Sequence, residues 1–434
     1  QLCEARRRAS APPPSPDECR RPGMGGDSFN NHDVETAGGK KAEVDLLADG
    51  LWPYISRSTH ALLFQNWLNL LMLFTPLSFL YVYMEWNKGL IFTFSLLAIA
   101  PFAERLSFVT EQLAMHTSDT LGGLLNATFG NVTELIVSLF ALFRGMLRIV
   151  QVSLLGSILS NLLLVLGCAF FAGGVSFKQQ KFNKTSCSVN VGLLMLGVMS
   201  LLFPMLLEST HEELAMDSGL TVSRCVSVLL LLTYCCFIYF QLCSHTHLYS
   251  EDEDEEEDGE EEDEEEAILG VWGAIFWLAV ITVFISLLSE YMVDALEDAS
   301  VDWGVPDLFL GTIIIPIVGN AAEHAAAIIF AVKNKMELSL GIAVGSATQI
   351  ALFVVPLLVV TAWCIDSPLS LNFHAFETGS LLITVLLVGA IIQNGESNWM
   401  MGVMLVVGYC SVSAGFFVHA DPPEDRRAMM LREL

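Results

Sequence analysis

Two glutamates, Glu134 and Glu323, stand inside apolar stretches long enough to cross a bilayer. A charged side chain near the centre of the hydrocarbon costs about 2.5–3.5 kcal/mol on insertion scales, so a carboxylate kept there is by default an ion or proton site. Each closes a short phrase, Gly130-Asn131-Val132-Thr133-Glu134 in the first half of the chain and Gly319-Asn320-Ala321-Ala322-Glu323 in the second. Asparagine and glutamate three residues apart share a helical face, and glycine before the asparagine lets an ion or another backbone come close. In the second phrase Pro316 removes a donor and frees a carbonyl one turn earlier, so a kinked or broken helix whose exposed carbonyl can serve as a ligand is expected there. The donors are all oxygens. A hard cation takes about six to eight of them. Two glutamates supply up to four, with amide, hydroxyl, carbonyl or water for the rest, which selects Ca²⁺ or Mn²⁺ over zinc or copper. His324 adjoins Glu323 but points away around the helix and reads as a packing or hydrogen-bonding residue.

A carboxyl taken out of water favours its protonated form, whereas a bound dication favours the ionised one. Metal and protons therefore compete for the same pair, and a site that crosses the membrane only when neutralised exchanges one for the other. Glu111 and Glu290 end the stretches preceding each phrase and are candidate proton relays or gate acids, with an interfacial, solvated acid as the plain alternative.

The elements that must hold these residues are transmembrane helices. Of the 434 residues 53% are hydrophobic and only 16% charged, so the solvent of this chain is lipid. Runs of about 20 apolar residues, enough for roughly 30 Å of hydrocarbon, fall near 62–83, 89–110, 120–143, 150–173, 189–207, 221–242, 268–294, 307–332, 336–362, 372–392 and 399–418. An all-α integral membrane protein with about eleven spans is expected. The ten cysteines are scattered without any Cys-x-x-Cys spacing and read as packing residues. The sequons at Asn126 and Asn131 lie inside a span, out of reach of glycosylation.

The chain is internally duplicated. An offset of 189 maps Gly130, Asn131 and Glu134 onto Gly319, Asn320 and Glu323, and without a gap maps Gly156-Ser157 onto Gly345-Ser346. Five spans, an odd number, separate the two phrases, so corresponding helices must run in opposite directions. The expected architecture is an extra first helix (61–86), a five-helix repeat (87–245), a cytosolic acidic linker (246–267), a second, inverted five-helix repeat (268–420) and a short tail (421–434). Inversion brings Glu134 and Glu323 to one depth from opposite sides, the geometry of alternating access.

Residues 1–60, rich in proline, glycine and arginine and lacking the apolar core of a secretory signal, read as a disordered cytosolic tail. The chain opens with Gln rather than Met, so a fragment or a processed product is one reading of its start. The tail holds eight Lys and Arg, which, with Lys178, Lys181, Lys184, Lys333 and Lys335 on the same side, favours a cytosolic N-terminus. Residues 251–266 hold fifteen acids and one glycine and supply more than half of the net charge of −27. They form either a solvated linker between the halves or a diffuse reservoir of divalent cations at the mouth of the protein. His245 and His247 beside them read as solvated residues.

Two other classes compete. A cation channel also uses acidic constrictions, but gathers identical acids from several subunits. An intramembrane metal hydrolase would need His-Glu-x-x-His or a comparable constellation; His211-Glu212-Glu213 lacks the second histidine, so no enzyme is expected.

The stretches GLLNATFGNVTELIVSLFAL, beginning at Gly122, and IIIPIVGNAAEHAAAIIFAVKNK, 313–335, resemble the two signature repeats of the vacuolar-type cation/proton exchangers of the Ca²⁺:cation antiporter superfamily. The resemblance spans roughly residues 60–420 and includes the acidic segment between the sixth and seventh spans. It implies exchange of Ca²⁺, with Mn²⁺ as an alternative, for H⁺ into an acidic compartment, at a vacuolar or other acidic-organelle membrane. It implies that Glu134 and Glu323 bind the cation, with Asn131, Asn320, Gly130 and Gly319 beside them and Ser157, Ser346 and Gln349 lining the path. Sodium-coupled relatives carry Gly-Ser with Pro-Glu in place of Gly-Asn, a departure that speaks against sodium here, though coupling to another ion stays an alternative. The expected partners are small inorganic cations and membrane lipid, with no nucleic acid, no resident cofactor, and a homo-oligomer left open.

Overall fold

With no water to satisfy an exposed backbone, apolar runs of this length close their hydrogen bonds internally as helices. The computed structural model describes residues 51–64, 66–210, 216–246 and 268–418. The tail before residue 51, the acidic block 251–266 and the tail after 418 lie outside the described residues.

The first helix, α1 (Leu51–Phe64), turns into a 3₁₀ segment, Trp67–Leu73, that runs on as α2 (Phe74–Tyr83). Residues 51–60, expected in the tail, are thus helical. The packing behind this lies at the end of α1, where Ala61 and Leu62 are buried and both carbonyls are capped. Arg105 Nη1 donates to Ala61 O at 3.1 Å and Asn69 Nδ2 to Leu62 O at 2.8 Å. Next come α3 (Lys88–Ala114), α4 (Asp119–Phe129) and α5 (Val132–Phe143). A long buried helix follows, α6 (Leu147–Leu159) and α7 (Leu166–Ser176) joined by a π-helical turn over Ser160–Val165. A two-residue strand, β1 (Gln180–Lys181), leads to α8 (Lys184–Thr210) and α9 (Met216–Tyr239).

The second half opens with α10 (Val271–Trp303), which ends at Gly304 in the left-handed conformation that closes a helix. Then follow α11 (Asp307–Phe309), a π-helical turn Leu310–Ile314, α12 (Ile315–Gly319) and α13 (Ala321–Val332). A π-helical turn over Ile350–Val354 joins α14 (Met336–Gln349) to α15 (Val355–Cys364). The chain ends with α16 (Ala375–Ile392), β2 (Glu396–Ser397), antiparallel to β1, and α17 (Trp399–Val418).

Eight of these helices are long and apolar enough to cross a membrane, or up to ten if each of two bent pairs is one span. The expectation of eleven is therefore not reached on length and composition. The run at 120–143 accounts for the difference: it breaks into α4 and α5, and its apolar part, Val132–Phe143, has 12 residues, or about 18 Å of rise.

Duplication is visible in the backbone. At the offset of 189, Val132–Phe143 coincides with Ala321–Val332 and Leu147 with Met336 as helix starts. Asn131 (φ −110°, ψ 23°) matches Asn320 (φ −100°, ψ 16°), and the turn residue Gly145 (φ 76°) matches Asn334 (φ 64°). Glycine and asparagine are the residues that enter this left-handed region most readily. The π-helical turns at 160–165 and 350–354 also correspond to within a residue. The helices that open the two repeats, α3 and α10, run antiparallel. Gln112 Oε1 near the end of α3 accepts from Ile268 N at 2.7 Å and Leu269 N at 3.2 Å before α10 begins. At the other end Phe92 meets Trp303, with ring centroids 5.7 Å apart.

Candidate cation site

Each motif glutamate sits in the first turn of a half-helix whose predecessor stops at the motif itself. In the first repeat α4 ends at Phe129 and α5 begins at Val132; in the second α12 ends at Gly319 and α13 begins at Ala321, with a bend of 56° between the two parts. Proline is not the cause. Position 127, which corresponds to Pro316, is alanine, yet the helix breaks at the same place. The freed carbonyl expected from Pro316 is that of Thr312, and it does not reach the cavity. It packs so closely on Gly156 that a Cβ there would strike it.

The break places two helix N-termini, with their partial positive charge, beside two carboxyls. Glu134 and Glu323 line one cavity, together with Gly130 and Gly319, and Ser107 of α3 closes a side. Glu134 alone also lines a second cavity, whose polar wall is Asn320, Ser157, Ser153, Ser138 and Thr133. Gly319 borders both spaces, and a Cβ there would meet nothing within 4 Å, so the glycine leaves the room open.

The two asparagines, alike in backbone, differ in their bonding. Asn131 is locked: its Oδ1 accepts from Ser346 Oγ at 2.7 Å, and its Nδ2 donates to Gln349 Oε1 at 2.7 Å. Ser346 in turn accepts from Asn161 Nδ2 at 3.1 Å. Asn320 is 2% exposed, yet neither its Oδ1 nor its Nδ2 has a hydrogen-bond partner, and Glu323 Oε2 is likewise buried and unpartnered. Buried polar atoms of this kind are rare and call for an explanation such as an ion or water. Their chemistry suits a cation: two carboxylates in one cavity, and a free amide oxygen and hydroxyls beside Glu134 in the other. Among the described residues no group of three or more His, Cys, Asp or Glu gathers to hold a metal, so carboxylates alone do not complete a coordination shell.

The structure thus brings Glu134, Glu323, Gly130, Gly319, Asn320 and Ser157 to the cavities and holds Asn131, Ser346 and Gln349 in the network beside them. His324 leans away, its Nε2 3.3 Å from Ser160 Oγ. Glu111 and Glu290 line neither cavity: Glu111 is an exposed residue near the end of α3, and Glu290 is ion-paired with Arg144 at 2.8 Å. Four polar residues escaped the reading of the sequence: Thr133, Ser138, Ser153 and Asn161. Helical spacing could have found two of them, since Ser138 lies one turn after Glu134 and Ser153 one turn before Ser157.

Residues 88–243 and 273–418 match the sequence model of the family described as sodium/calcium exchanger protein. The chain is 51% identical over 376 residues to vacuolar cation/proton exchanger 2 of Arabidopsis thaliana, covering 86% of this chain and 85% of that protein. It is 50% identical over 371 residues to vacuolar cation/proton exchanger 3 of Oryza sativa subsp. japonica, covering 84% and 89%. Among solved structures, the Ca²⁺/H⁺ antiporter protein YfkE superposes with a TM-score of 0.68 at 35% identity, over 81% of this chain and 98% of that one. An H⁺/Ca²⁺ exchanger, CAX, shares the fold at a TM-score of 0.62 and 13% identity, over 81% and 91%.

Proposed function

The chain belongs to the sodium/calcium exchanger family, among the vacuolar cation/proton exchangers, and from that premise we propose that it exchanges Ca²⁺ for H⁺ by alternating access at Glu134 and Glu323. The observation that carries this reading is the shared cavity of the two glutamates, entered from antiparallel repeats, with Glu323 Oε2 buried and unsatisfied there and the Asn320 amide likewise unsatisfied in the second cavity that Glu134 lines. A dication drawing on both carboxylates and the Asn320 oxygen would satisfy these atoms; protons on the carboxyls would neutralise the same pair when the metal leaves. Each loaded form spares the interior an uncompensated charge, which is what permits the site to change its exposure.

Ca²⁺ is the cargo this all-oxygen set supports best, with Mn²⁺ as the alternative. The relatives carry the word vacuolar in their names, and we place this chain in a vacuolar or similar acidic-organelle membrane, moving cytosolic Ca²⁺ inward. The Lys and Arg bias supports a cytosolic N-terminus. Eleven spans would follow if the α4 and α5 pair completes one crossing. The test is Ca²⁺ uptake into proteoliposomes with and without an acidic interior. Glu134→Gln and Glu323→Gln keep the shape of the side chain but cannot cycle charge, so each is expected to abolish proton-driven uptake while leaving membrane insertion intact. Proton-dependent uptake at the native rate in either variant would remove that glutamate from the site.

A further inference from the structure

The far ends of the two motif half-helices are held by different chemistry. In the second repeat the end of α13 is tied by an uncharged clamp: Gln180 Nε2 donates to Ala331 O at 2.8 Å and to Asn334 Oδ1 at 3.0 Å. In the first repeat the end of α5 is tied by charge. Arg144, the residue that caps α5, reaches Glu290 at 2.8 Å and Asp294 at 2.9 Å, one turn apart on α10. Lys88, at the start of α3, is a further cation facing Asp294.

These ion pairs join two walls of the cavity that Glu134 shares with Asn320 and the serines. On α5 the wall is Val137 and Ser138; on α10 it is Met292, which stands between the two acids in sequence and so on the opposite face of that helix from them. From Ser138 to Arg144 is about 9 Å along the helix, and from Glu134 about 15 Å. Arg144 therefore lies beyond the cavity on the side where α5 ends, and it holds α5 against α10 there. Its side chain is 46% exposed and those of its partners 35%, so water or an arriving ion can reach the pairs. A half-exposed charge pair of this kind contributes little fixed stability. That makes it suited to a contact that opens and re-forms.

We propose that Arg144 is a latch: its ion pairs with Glu290 and Asp294 close the α5 end of the Glu134 cavity in the conformation seen here, and they must part in each cycle for that mouth to open. The role is one of positioning, exerted through α5 on Glu134 at its other end. The acids on α10 are freed only when the latch opens, so a cation leaving or entering by this mouth meets carboxylates in place of the guanidinium. The other half-helix ends in the amide clamp of Gln180. The proposal rests on the exchange reading above.

Bridging separates the two. With Arg144→Cys and Asp294→Cys combined, a short bis-methanethiosulfonate reagent joins α5 to α10 reversibly, with the native chain treated in parallel to control for its own cysteines. We expect Ca²⁺/H⁺ exchange in proteoliposomes to fall at least tenfold on bridging and to return on addition of dithiothreitol. Bridged protein that exchanges as fast as the unbridged double variant would overturn the latch while leaving the exchange reading standing; a native chain without proton-driven uptake would instead sink the exchange reading. The second arm compares Arg144→Lys with Arg144→Gln. Lysine keeps one ion pair and should hold maximal rate within about threefold of native, whereas glutamine should lower it more than tenfold with the Ca²⁺ concentration for half-maximal uptake unchanged. Equal rates for the two substitutions would count against the latch even if the cysteine pair failed to insert.

Discussion

Asn131 and Asn320 occupy the same backbone conformation at the same place in duplicated sequence, and only their surroundings tell them apart. Around Asn131 the partners are Ser346 and Gln349; the residues that correspond to them in the first repeat, Ser157 and Ser160, make no hydrogen bond to Asn320. Position 160 is the reason. Its serine is two bonds shorter than Gln349 and turns to His324 instead. Removing the two amides should therefore have opposite consequences. Asn131→Ala strands a serine hydroxyl and a glutamine oxygen inside the protein, a loss of about 1–3 kcal/mol for a buried group left unpaired, and should lower the midpoint of thermal unfolding in detergent. Asn320→Ala deletes an amide that bonds to nothing, so its melting should stay near native while the Ca²⁺ concentration for half-maximal uptake rises severalfold. Equal melting losses in the two variants would show that the empty partner positions at Asn320 are filled by something more tightly held than a passing cation.

At the scale of elements the repeats are superimposable in sequence but not in packing, and glycine shows it best. Gly156 and Gly345 head the same Gly-Ser pair, yet a Cβ on Gly156 would strike the Thr312 carbonyl, whereas one on Gly345 would meet nothing within 4 Å. Overpacking of this sort costs about 1–3 kcal/mol. Gly156→Ala should accordingly reduce the yield and melting temperature of the protein, and Gly345→Ala should leave both within the scatter of an ordinary surface change, about 0.5 kcal/mol. The contrast marks what the sequence could and could not disclose. A carboxylate within an apolar run is visible to simple counting, and so is a repeat that keeps its register for more than 25 residues; from these followed the pairing of Glu134 with Glu323 and the opposed direction of α3 and α10. The break at Gly130-Asn131 is not visible in the sequence, because an asparagine that ends one helix and starts another reads locally as one more residue of a span. Pro316 points to the bend in the second span, while Ala127 at the corresponding place shows that the first repeat breaks without a proline. Residues 51–60 read as tail in the sequence because what anchors their helix lies elsewhere: Arg105 and Asn69, which cap the Ala61 and Leu62 carbonyls, are distant or beyond the helix.

Across the whole molecule the two repeats must hold together while the mouths between them open and close, and a few contacts fasten one half to the other. Among the described residues the most buried ion pair between the halves joins Arg148, in the first turn of α6, to Glu377, in the first turn of α16. Glu377 is 0% exposed and also accepts from His374 N at 3.1 Å, so it both caps its own helix and neutralises the arginine of the other repeat. Gln151, one turn along α6, adds bonds from its Nε2 to Ser370 O at 2.9 Å and Asn372 O at 3.2 Å in the loop before α16. This junction differs from the Arg144 contact in one decisive respect. Arg144 and its acids are open to water and can trade partners, whereas Glu377 has no solvent to turn to, and breaking its pair leaves a buried charge uncompensated, a loss of about 3–5 kcal/mol. Glu377→Ala should thus unfold or fail to insert in conditions where Arg144→Gln still folds, and the readouts are monodisperse yield and thermal unfolding in detergent. Replacing both partners with apolar residues, Arg148→Met with Glu377→Leu, removes the charge together with its counter-charge and should restore most of the lost stability. A double variant no more stable than Glu377→Ala would mean that the junction is held by the helix cap and the Gln151 bonds, and that the charge pair between the halves is incidental to their union.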